Sequence, residues 1–363
     1  MELFIYNQAL ICIGVIDTFE SLIWRRRFFT ADDFELYIPL NLENLSLLKE
    51  GNIVVHRRET GSLNGVIHTI TLTTDSSGND SITVRGMSLL GYLKHRINWG
   101  IINFKGSPVD LMREMVTKNA ISPQDEKRII PNLILGSQLN CADIIIYQNS
   151  YGNVLEELEA IGKTTGLGCT VVFDGSERKL KFEVVQGIDR SIVQSEYPRV
   201  IFSREYDNVL SQEYLQSTKD FKNTFLIAGE GEGDNRILVS YGDDIGLDRF
   251  ELFVDARDLQ QEVDGKSLTS EEYKQALLQR GHEKLSEYVK LNTFESQIDT
   301  NSNYVYQKDY DLGDIVSVID RNWGITLNAR ITEVEEVYED GKFEVTPTFG
   351  HQIPSLLDLI NKR

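Results

Sequence analysis

The sequence is poor in cysteine and histidine, and this scarcity excludes several kinds of site. Its 363 residues include three cysteines and five histidines. Cys12, Cys141 and Cys169 form neither a CxxC pair nor an even disulfide set, so we expect them to be core thiols. The histidines are scattered singly, and a histidine-based metal site would need distant segments to converge. We predict neither a metal site nor a cofactor.

Long apolar runs and a basic leader are also missing. No run of about 18 apolar residues occurs, which argues against a membrane-spanning helix. The N-terminus, MELFIYNQAL, has no basic segment followed by a signal-length apolar core, so we expect folding in a cytoplasm. Positive charge is scarce, with 37 Lys and Arg residues against 56 Asp and Glu residues. This balance argues against sequence-independent nucleic-acid binding, which needs cations to neutralise phosphates.

The apolar residues that are present predict many strands in the first hundred residues. Apolar and polar positions alternate there between turn residues, which is typical of an antiparallel barrel or sandwich. The predicted strands are Leu3 to Tyr6, Leu10 to Ile16, Phe19 to Phe29, Phe34 to Ile38, Asn52 to Arg58, Gly65 to Thr73 and Ser81 to Arg85.

Three helix starts and one hairpin turn stand out in the remaining sequence. Ser107, followed by proline, and Asn153 each predict an N-cap. The capping-box spacing of Thr269 and Glu272 opens the longest predicted helix, from Ser270 to about Val289. The motif EDGK near the end of the chain predicts a tight β-hairpin.

These patterns predict an α+β protein, mainly β, with two antiparallel β-barrel or sandwich domains, an inserted small α+β domain and a helical insertion. The expected division is 1–103 for the first barrel, completed by strands from 199–240, 104–198 for the inserted domain, 199–350 for the second barrel with a helical insertion at 267–291, and 351–363 for a short helix.

No motif predicts catalysis. The GKT in AIGKTTGLG lacks the required earlier glycine, since position 157 is glutamate, and Gly162 and Gly166 are better explained as terminating a helix. The acidic loop 229–236, GEGEGDNR, is interpreted as solvated, with a cation site on its carboxylates as the alternative. Zinc-protease and nucleophile-elbow patterns are absent from the sequence.

One group of charged residues, the arginine triplet Arg25, Arg26 and Arg27, is a candidate interface in this acidic chain. On a strand, Arg26 shares a face with Trp24, whereas Arg25 and Arg27 lie on the other face. Arginine pairs well with carboxylates, and TADDFE follows directly. We expect at least one arginine to anchor that turn and another to face a neighbouring protein.

A second candidate group lies in GLDRFELFVDARDL. Arg249 and Glu251 would share a strand face and join charge ladders, while Asp255, Arg257 and Asp258 form a dense charged corner. The corner is explained either by internal hydrogen bonds between arginine and carboxylates or by contact with a neighbouring subunit.

Five segments, taken together and in order, resemble a known family. They are IGVIDTFESLIWRRRFFTADDFELYIP, ITVRGMSLLGYLKHR, QGIDRS, RFELFVDARDL and YDLGDIVSVIDRNWGITLNARITEVEEVYEDGKFEVTPTFG. They resemble siphophage and prophage tail proteins, specifically baseplate hubs, which are related in fold to the N-terminal hub part of tail-associated lysins. The resemblance runs from about Leu3 to Gly350.

This resemblance implies a structural protein and no enzyme. A hub of this kind is a homotrimer with two barrels per subunit, and it forms a pseudo-sixfold ring at the distal end of the tail tube. The implied partners are the distal-tail protein, the tape-measure protein and a tail-tip or fibre protein, and DNA passes without specific binding. The implied location is the virion tail, with no membrane insertion and with assembly in the host cytoplasm.

Two expectations concern the end of the chain and an alternative function. Many similar hubs continue into a hydrolase or fibre, whereas here HQIPSLLDLINKR follows, a short amphipathic helix that either tethers a tip protein or docks on its own barrel. The alternative function is a receptor- or glycan-binding module of the tail tip, using Trp24, Trp99 and Trp323. A cell-wall hydrolase is the least favoured interpretation.

Overall fold

The computed structural model describes residues 1–58, 61–263, 266–299 and 302–350. The predicted fold class is confirmed, because large antiparallel, sandwich-like sheets dominate and helices are few. No closed barrel forms within these ranges. The predicted C-terminal helix at 351–363 lies outside them.

The first seven strands form a curled antiparallel sheet in the order β3, β4, β7, β6, β5, β1, β2. In β4, Phe34, Leu36 and Ile38 are buried and alternate with polar positions, so they share the inner face with Trp24. The elements are β1 (Leu3–Tyr6), β2 (Cys12–Ile16), β3 (Ser21–Arg27), β4 (Asp33–Pro39), α1 (Leu42–Leu47), β5 (Ile53–Arg58), β6 (Gly61–Thr74) and β7 (Asp80–Ser88).

An α+β unit packs on the other face of this sheet, against Ile53 and Val55. Both predicted N-caps are confirmed: the side chain of Ser107 accepts the Val109 N–H, and that of Asn153 accepts the Leu155 N–H. The elements are β8 (Ile101–Gly106), α2 (Pro108–Val116), β9 (Leu133–Leu135), β10 (Ile145–Ser150), α3 (Val154–Thr165), β11 (Gly168–Asp174) and β12 (Lys179–Val185).

Gly166 ends α3, as predicted, whereas the prediction is wrong for Gly162, which lies inside the helix because the helix continues to Thr165. Gly166 has φ of 73°, a left-handed conformation that suits glycine after the last helical turn, and its N–H donates to the Gly162 carbonyl at 2.8 Å. A helix therefore precedes this glycine, which is the reverse of the order in a phosphate-binding loop.

The second half contains a curled sheet and a smaller unit. Strands β14, β20, β23, β22, β21 and β13 surround a core that includes Phe202, Phe294 and Phe349. The elements are β13 (Ile201–Phe202), β14 (Val209–Ser217), β15 (Thr224–Ala228), β16 (Leu238–Tyr241), β17 (Glu251–Asp255), β18 (Glu262–Val263), β19 (Lys266–Ser267), α4 (Ser270–Leu285), β20 (Leu291–Ile298), β21 (Ile315–Asp320), β22 (Ile325–Glu339) and β23 (Lys342–Gly350).

The predicted hairpin turn and capping box are both confirmed. Asp340 and Gly341, between β22 and β23, have φ of 52° and 72°, as expected for a two-residue turn whose twist matches the strands. Thr269 accepts the Glu272 N–H, and the Glu272 carboxylate reaches back to the Thr269 N–H.

Helix α4 lies between the small sheet β16, β15, β17 and strand β10. Its Gly281 packs against the ring of Phe225 in β15. The preceding residue, Arg280, donates from Nη2 to the Gln148 carbonyl at 2.9 Å. Helix α4 therefore contacts both the inserted α+β unit and the small sheet, and the two units also bond directly where the Gln260 N–H donates to Gln148 Oε1.

Strand β22 joins the two halves of the molecule. Its residues 325–330 pair with β21, and its residues 333–339 pair with β3, so thirteen strands share one hydrogen-bonded sheet. The strands from 199–240 pair elsewhere: β13 with β21, β14 with β20, and β15 with β16 and β17. The four-part domain division stays a prediction.

The cysteines are only partly the core thiols that we expected. Cys169 is buried, and burial raises its pKa to about 12. Cys12 is exposed on strand β2, so the prediction is wrong for this residue, because β2 lies at a sheet edge with little covering it. Among the described helices, none is long and apolar enough to cross a membrane.

Candidate functional site

Strands β3 and β22 carry opposite charges at matching positions along the seam, defined here as β3 paired with residues 333–339 of β22. Arg25 lies opposite Glu335, and its Nε donates to Glu335 Oε2 at 2.7 Å. Arg27 lies opposite Glu333, and its Nε donates to Glu333 Oε2 at 2.8 Å. Opposite charges facing each other across strands stabilise the pairing. These two arginines therefore bind one half of the molecule to the other.

The same two arginines also reach the turn after β3. Arg25 Nη1 lies 3.2 Å from Asp33 Oδ1, and Arg27 forms an ion pair with the same carboxylate. The neighbouring Asp32 accepts the backbone N–H of Arg27 at 2.8 Å. Both arginines thus have partners within the chain, and the predicted contact of one of them with a neighbouring protein stays a prediction.

Arg26 lies on the opposite face of β3, as strand alternation requires. Its Nη1 donates to Asp311 Oδ1 at 2.7 Å and contacts the Tyr306 hydroxyl. The same nitrogen is 3.8 Å from Glu336 Oε1. The arginine triplet therefore divides between an outer charge ladder and an inner cluster.

The carboxylate of Glu336 is fully buried at the centre of this inner cluster. It accepts hydrogen bonds from the hydroxyls of Tyr306 at 2.8 Å and Tyr338 at 3.0 Å. It also forms an ion pair with Arg58, whose side chain is only 9% exposed. The buried charge cluster is defined as Arg26, Arg58, Tyr306, Glu336 and Tyr338 together with Asp311 at its rim, whose side chain is 43% exposed. Its two cations match its two carboxylates.

Burial sets the protonation of the cluster. It raises the pKa of Tyr306 and of Tyr338, so both hydroxyls keep the protons that they donate to Glu336. Burial lowers the pKa of Arg58. Burial also tends to lower the pKa of Arg26. The electrostatic attraction of Tyr306 and Asp311 outweighs this effect, so the pKa of the Arg26 guanidinium is raised. The cluster is therefore a structural network of paired charges, in which Arg58 Nε is buried without a hydrogen-bond partner in the described part of the chain.

The sequence offered a signal for one member of the cluster that we did not use. Val334, Glu336 and Tyr338 alternate along β22, so Glu336 falls on the buried side of an otherwise apolar face. A buried carboxylate needs a cation, and the triplet was available. Arg58 and Tyr306 come from distant segments, and no local pattern connects them to this strand.

The second group of candidate residues is held by internal ion pairs. Arg249 precedes strand β17, which begins two residues later than predicted, and its Nε donates to Glu251 Oε1 at 2.7 Å. Asp255 lies between Arg257 and Arg236, each 2.7 Å away. Hydrogen bonds from Arg257, which has the larger effect, and from Arg236 lower the pKa of Asp255 to about 2.

Asp258 lies apart from Asp255 and pairs with α4. Its Oδ2 is 3.2 Å from Arg280 Nη1 and also accepts a hydrogen bond from the Ser150 hydroxyl at 3.4 Å. This carboxylate therefore connects the corner to β10 as well as to α4. The structure does not bring this second group together with the arginine triplet, and its role as a subunit interface stays a prediction.

The acidic loop 229–236 is partly occupied by protein contacts. Glu230 Oε2 accepts the Gln261 N–H at 3.0 Å, and Arg236 Nε donates to the Gly229 carbonyl at 3.0 Å. Across the residues that the structure describes, no group of three or more His, Cys, Asp or Glu side chains could hold a metal ion. The cation site on this loop therefore stays a prediction without a ligand set.

The three tryptophans are not equivalent as binding surfaces. Trp24 is fully buried and stacks on Phe34 with 4.7 Å between ring centroids, so it cannot serve the glycan site that we predicted as an alternative. Trp99 and Trp323 are exposed, but the guanidinium groups of Arg128 and Arg204 lie 4.2 Å and 5.4 Å from their ring centroids.

Solved structures share this fold over nearly the whole chain. A tail protein from Neisseria meningitidis is 15% identical, with 96% of each chain covered and a TM-score of 0.59. The prophage MuSo2 43 kDa tail protein from Shewanella oneidensis is 13% identical, with 97% of this chain and 99% of that chain covered and a TM-score of 0.58. Prophage tail protein gp18 from Listeria monocytogenes is 11% identical, with 99% and 98% covered and a TM-score of 0.55. The fold is thus that of phage and prophage tail proteins.

A family model gives the more specific assignment. Residues 2–351 match the Siphovirus ReqiPepy6 Gp37-like proteins, and the chain belongs to that family. No curated protein matches the sequence. The family match and the shared fold together support a structural role in a phage tail, as the motifs along the chain predicted.

Proposed function

We propose that this protein is a non-enzymatic baseplate hub, three copies of which form a ring at the distal end of the tail tube. The observation that carries the proposal is the pair of curled sheets in one chain, joined through β22 into a single sheet. Three copies supply six such sheets, which suits a ring that adapts sixfold tail proteins to a threefold tip. The virion tail is the corresponding location.

Two edge strands of the joined sheet support ring formation. Strands β2 and β14 lie at the ends of the main run of paired strands, while the short β13 ends a side branch. Both β2 and β14 pair with one neighbour and expose apolar side chains, such as Val15 in β2 and Leu215 in β14. An exposed apolar edge strand is a template for pairing with another chain. Because one edge comes from each half of the molecule, pairing between copies is head-to-tail, and head-to-tail contacts form rings when the rotation closes.

The charge of the chain is compatible with DNA passing through such a ring. The formal net charge of -19 gives a protein that repels phosphates overall, so DNA can pass without being bound. The proposed partners are the distal-tail protein, the tape-measure protein and a tail-tip or fibre protein.

The test is the native mass of the purified protein across a concentration series, alone and with a distal-tail protein, combined with negative-stain images. We expect a species near three times 41.4 kDa and ring-shaped particles. A monomer under every condition, with no ring in the images, would rule out the hub. A clearing zone on cell wall that survives repurification would contradict the non-enzymatic part of the proposal.

A further inference from the structure

The inserted α+β unit carries an exposed apolar surface that also bears cations. Ile97, Trp99, Ile129 and Tyr151 are all exposed. They are neighbours: the Tyr151 N–H donates to the carbonyl of Gly100, next to Trp99, and Ile129 adjoins the arginine that covers the Trp99 ring. The arginine–tryptophan surface comprises Arg96, Ile97, Trp99, Arg128, Ile129 and Tyr151.

The two arginines of this surface have no carboxylate partner among the described residues. Arg128 donates to Asn119 Oδ1 at 3.2 Å and to the Ile97 carbonyl, while Arg96 Nε donates to the Arg128 carbonyl at 2.8 Å. Asp125, three residues before Arg128, accepts the Lys127 N–H through its side chain. In a chain with an excess of carboxylates, two such arginines beside exposed apolar groups suit an acidic partner surface.

The small sheet that packs on α4 exposes a second apolar surface. Leu226 of β15 and Phe253 of β17 are direct cross-strand neighbours on its outer face, and both are exposed. The loop between β16 and β17 adds Ile245 and Leu247, whose exposed fractions of 81% and 96% are high for large apolar residues. Contiguous exposed apolar groups of this kind mark interaction sites.

This second surface is acidic. Asp243, Asp244 and Asp248 are exposed beside Ile245 and Leu247, and no ion pair within the described ranges engages their carboxylates. The cation in the same loop is Arg249, which is already held by Glu251. The acidic apolar surface comprises Leu226, Asp243, Asp244, Ile245, Leu247, Asp248 and Phe253.

We propose that the arginine–tryptophan surface of one copy docks on the acidic apolar surface of the next copy. Both surfaces belong to one chain, they are opposite in charge, and both are exposed in the single copy, so their contact needs a second copy. The contact is head-to-tail, as ring closure requires. This inference rests on the proposed function, and it adds a second contact between neighbours besides the sheet edges.

The test uses two variants at positions with little structural role. Leu247→Ser removes an almost fully exposed side chain, and Asp248→Lys reverses a carboxylate without an ion pair. Each is expected to raise the concentration at which half the chains are assembled by about tenfold or more, since an apolar contact or a charge pair contributes on the order of 1.4 kcal/mol. Adding Arg128→Glu to Asp248→Lys should restore part of the lost assembly.

Matched controls keep the outcome specific. Leu42→Ser removes another highly exposed leucine, from α1, and Glu196→Lys reverses an exposed carboxylate elsewhere, so both should assemble like the wild type. Thermal melts check that each variant is folded. A wild-type ring that Leu247→Ser and Asp248→Lys leave unchanged overturns this contact and leaves the hub proposal intact. A wild-type chain that never forms a ring overturns the hub and this contact together.

Discussion

At the scale of single residues, Glu336 shows how costly the buried charge cluster is to disturb. Its fully buried carboxylate lies among two guanidinium groups and two tyrosine hydroxyls. Taking a charge out of water costs several kcal/mol, and the attraction within a cluster offsets this only while every partner is present. Replacing Glu336 therefore destabilises the protein mainly because its partners stay buried without their carboxylate.

We expect Glu336→Gln to destabilise the protein by about 3 kcal/mol, because Arg58 loses its carboxylate while it stays buried. Chemical denaturation measures the change in the free energy of unfolding. Glu335→Gln is the control, one residue away on the exposed ladder, and should cost less than about 1 kcal/mol. An equal loss of unfolding free energy in the two variants would contradict the explanation that burial makes Glu336 the more costly residue to replace.

Glu283 of α4 makes stability depend on pH. Burial raises the pKa of this carboxyl to about 7, and repulsion from Glu157 adds to the shift, although Arg280 opposes it. A group whose pKa is raised by folding stabilises the folded state below its unfolded pKa, near 4.5, and this contribution is lost as the pH rises towards 7.

We therefore expect Glu283→Gln to raise the melting temperature at pH 8 relative to the wild type and to leave it nearly unchanged at pH 5. At pH 8 the wild-type carboxylate must be ionised while buried, whereas the amide carries no charge. Thermal melts between pH 5 and pH 8 measure the difference. Glu287→Gln, at a half-exposed position close by, should show no such pH dependence. A gain of the same size at both pH values would contradict this explanation.

At the scale of elements, the charge ladder along the seam contributes through pairs of facing residues. We expect a double-mutant cycle of Arg27→Ala with Glu333→Ala to give a coupling energy of about 0.5–1 kcal/mol, since the two side chains lie directly opposite. Pairing Arg27→Ala with Glu339→Ala, at the other end of the seam, should give almost none. Unfolding in urea measures both cycles, and equal coupling in the two would argue against a local ladder.

Local signals in the sequence predicted the helix starts well where a capping residue preceded a helical pattern. Ser107, Asn153 and the Thr269 capping box each satisfy backbone N–H groups that any helix start leaves free, so their positions fixed the starts of α2, α3 and α4. Strand β17 was placed too early because Arg249 continues the alternation, although its side chain instead bonds carbonyls of the preceding loop. No strand was predicted at the positions of β8, β9, β10, β14, β16, β18 and β19.

At the scale of the whole molecule, the pairing of β3 with β22 could not be predicted from sequence. Alternation placed Arg26 on one face and Arg25 and Arg27 on the other, which the structure bears out. The partners on β22 come from the opposite end of the chain, and strand register between distant segments leaves no local pattern. The buried charge cluster depends on that register, so its composition followed only from the fold.

The distance in sequence between the strands of the seam sets an order of events during synthesis. Strand β3 has been synthesised once residue 27 is added, but its partner is complete only near residue 339. At a translation rate of about 5–20 residues per second, β3 waits roughly 15 to 60 seconds with one edge unpaired. Charged side chains on such an edge discourage aggregation with other nascent chains. Arg25, Arg26 and Arg27 thus protect the strand before they bind it to β22.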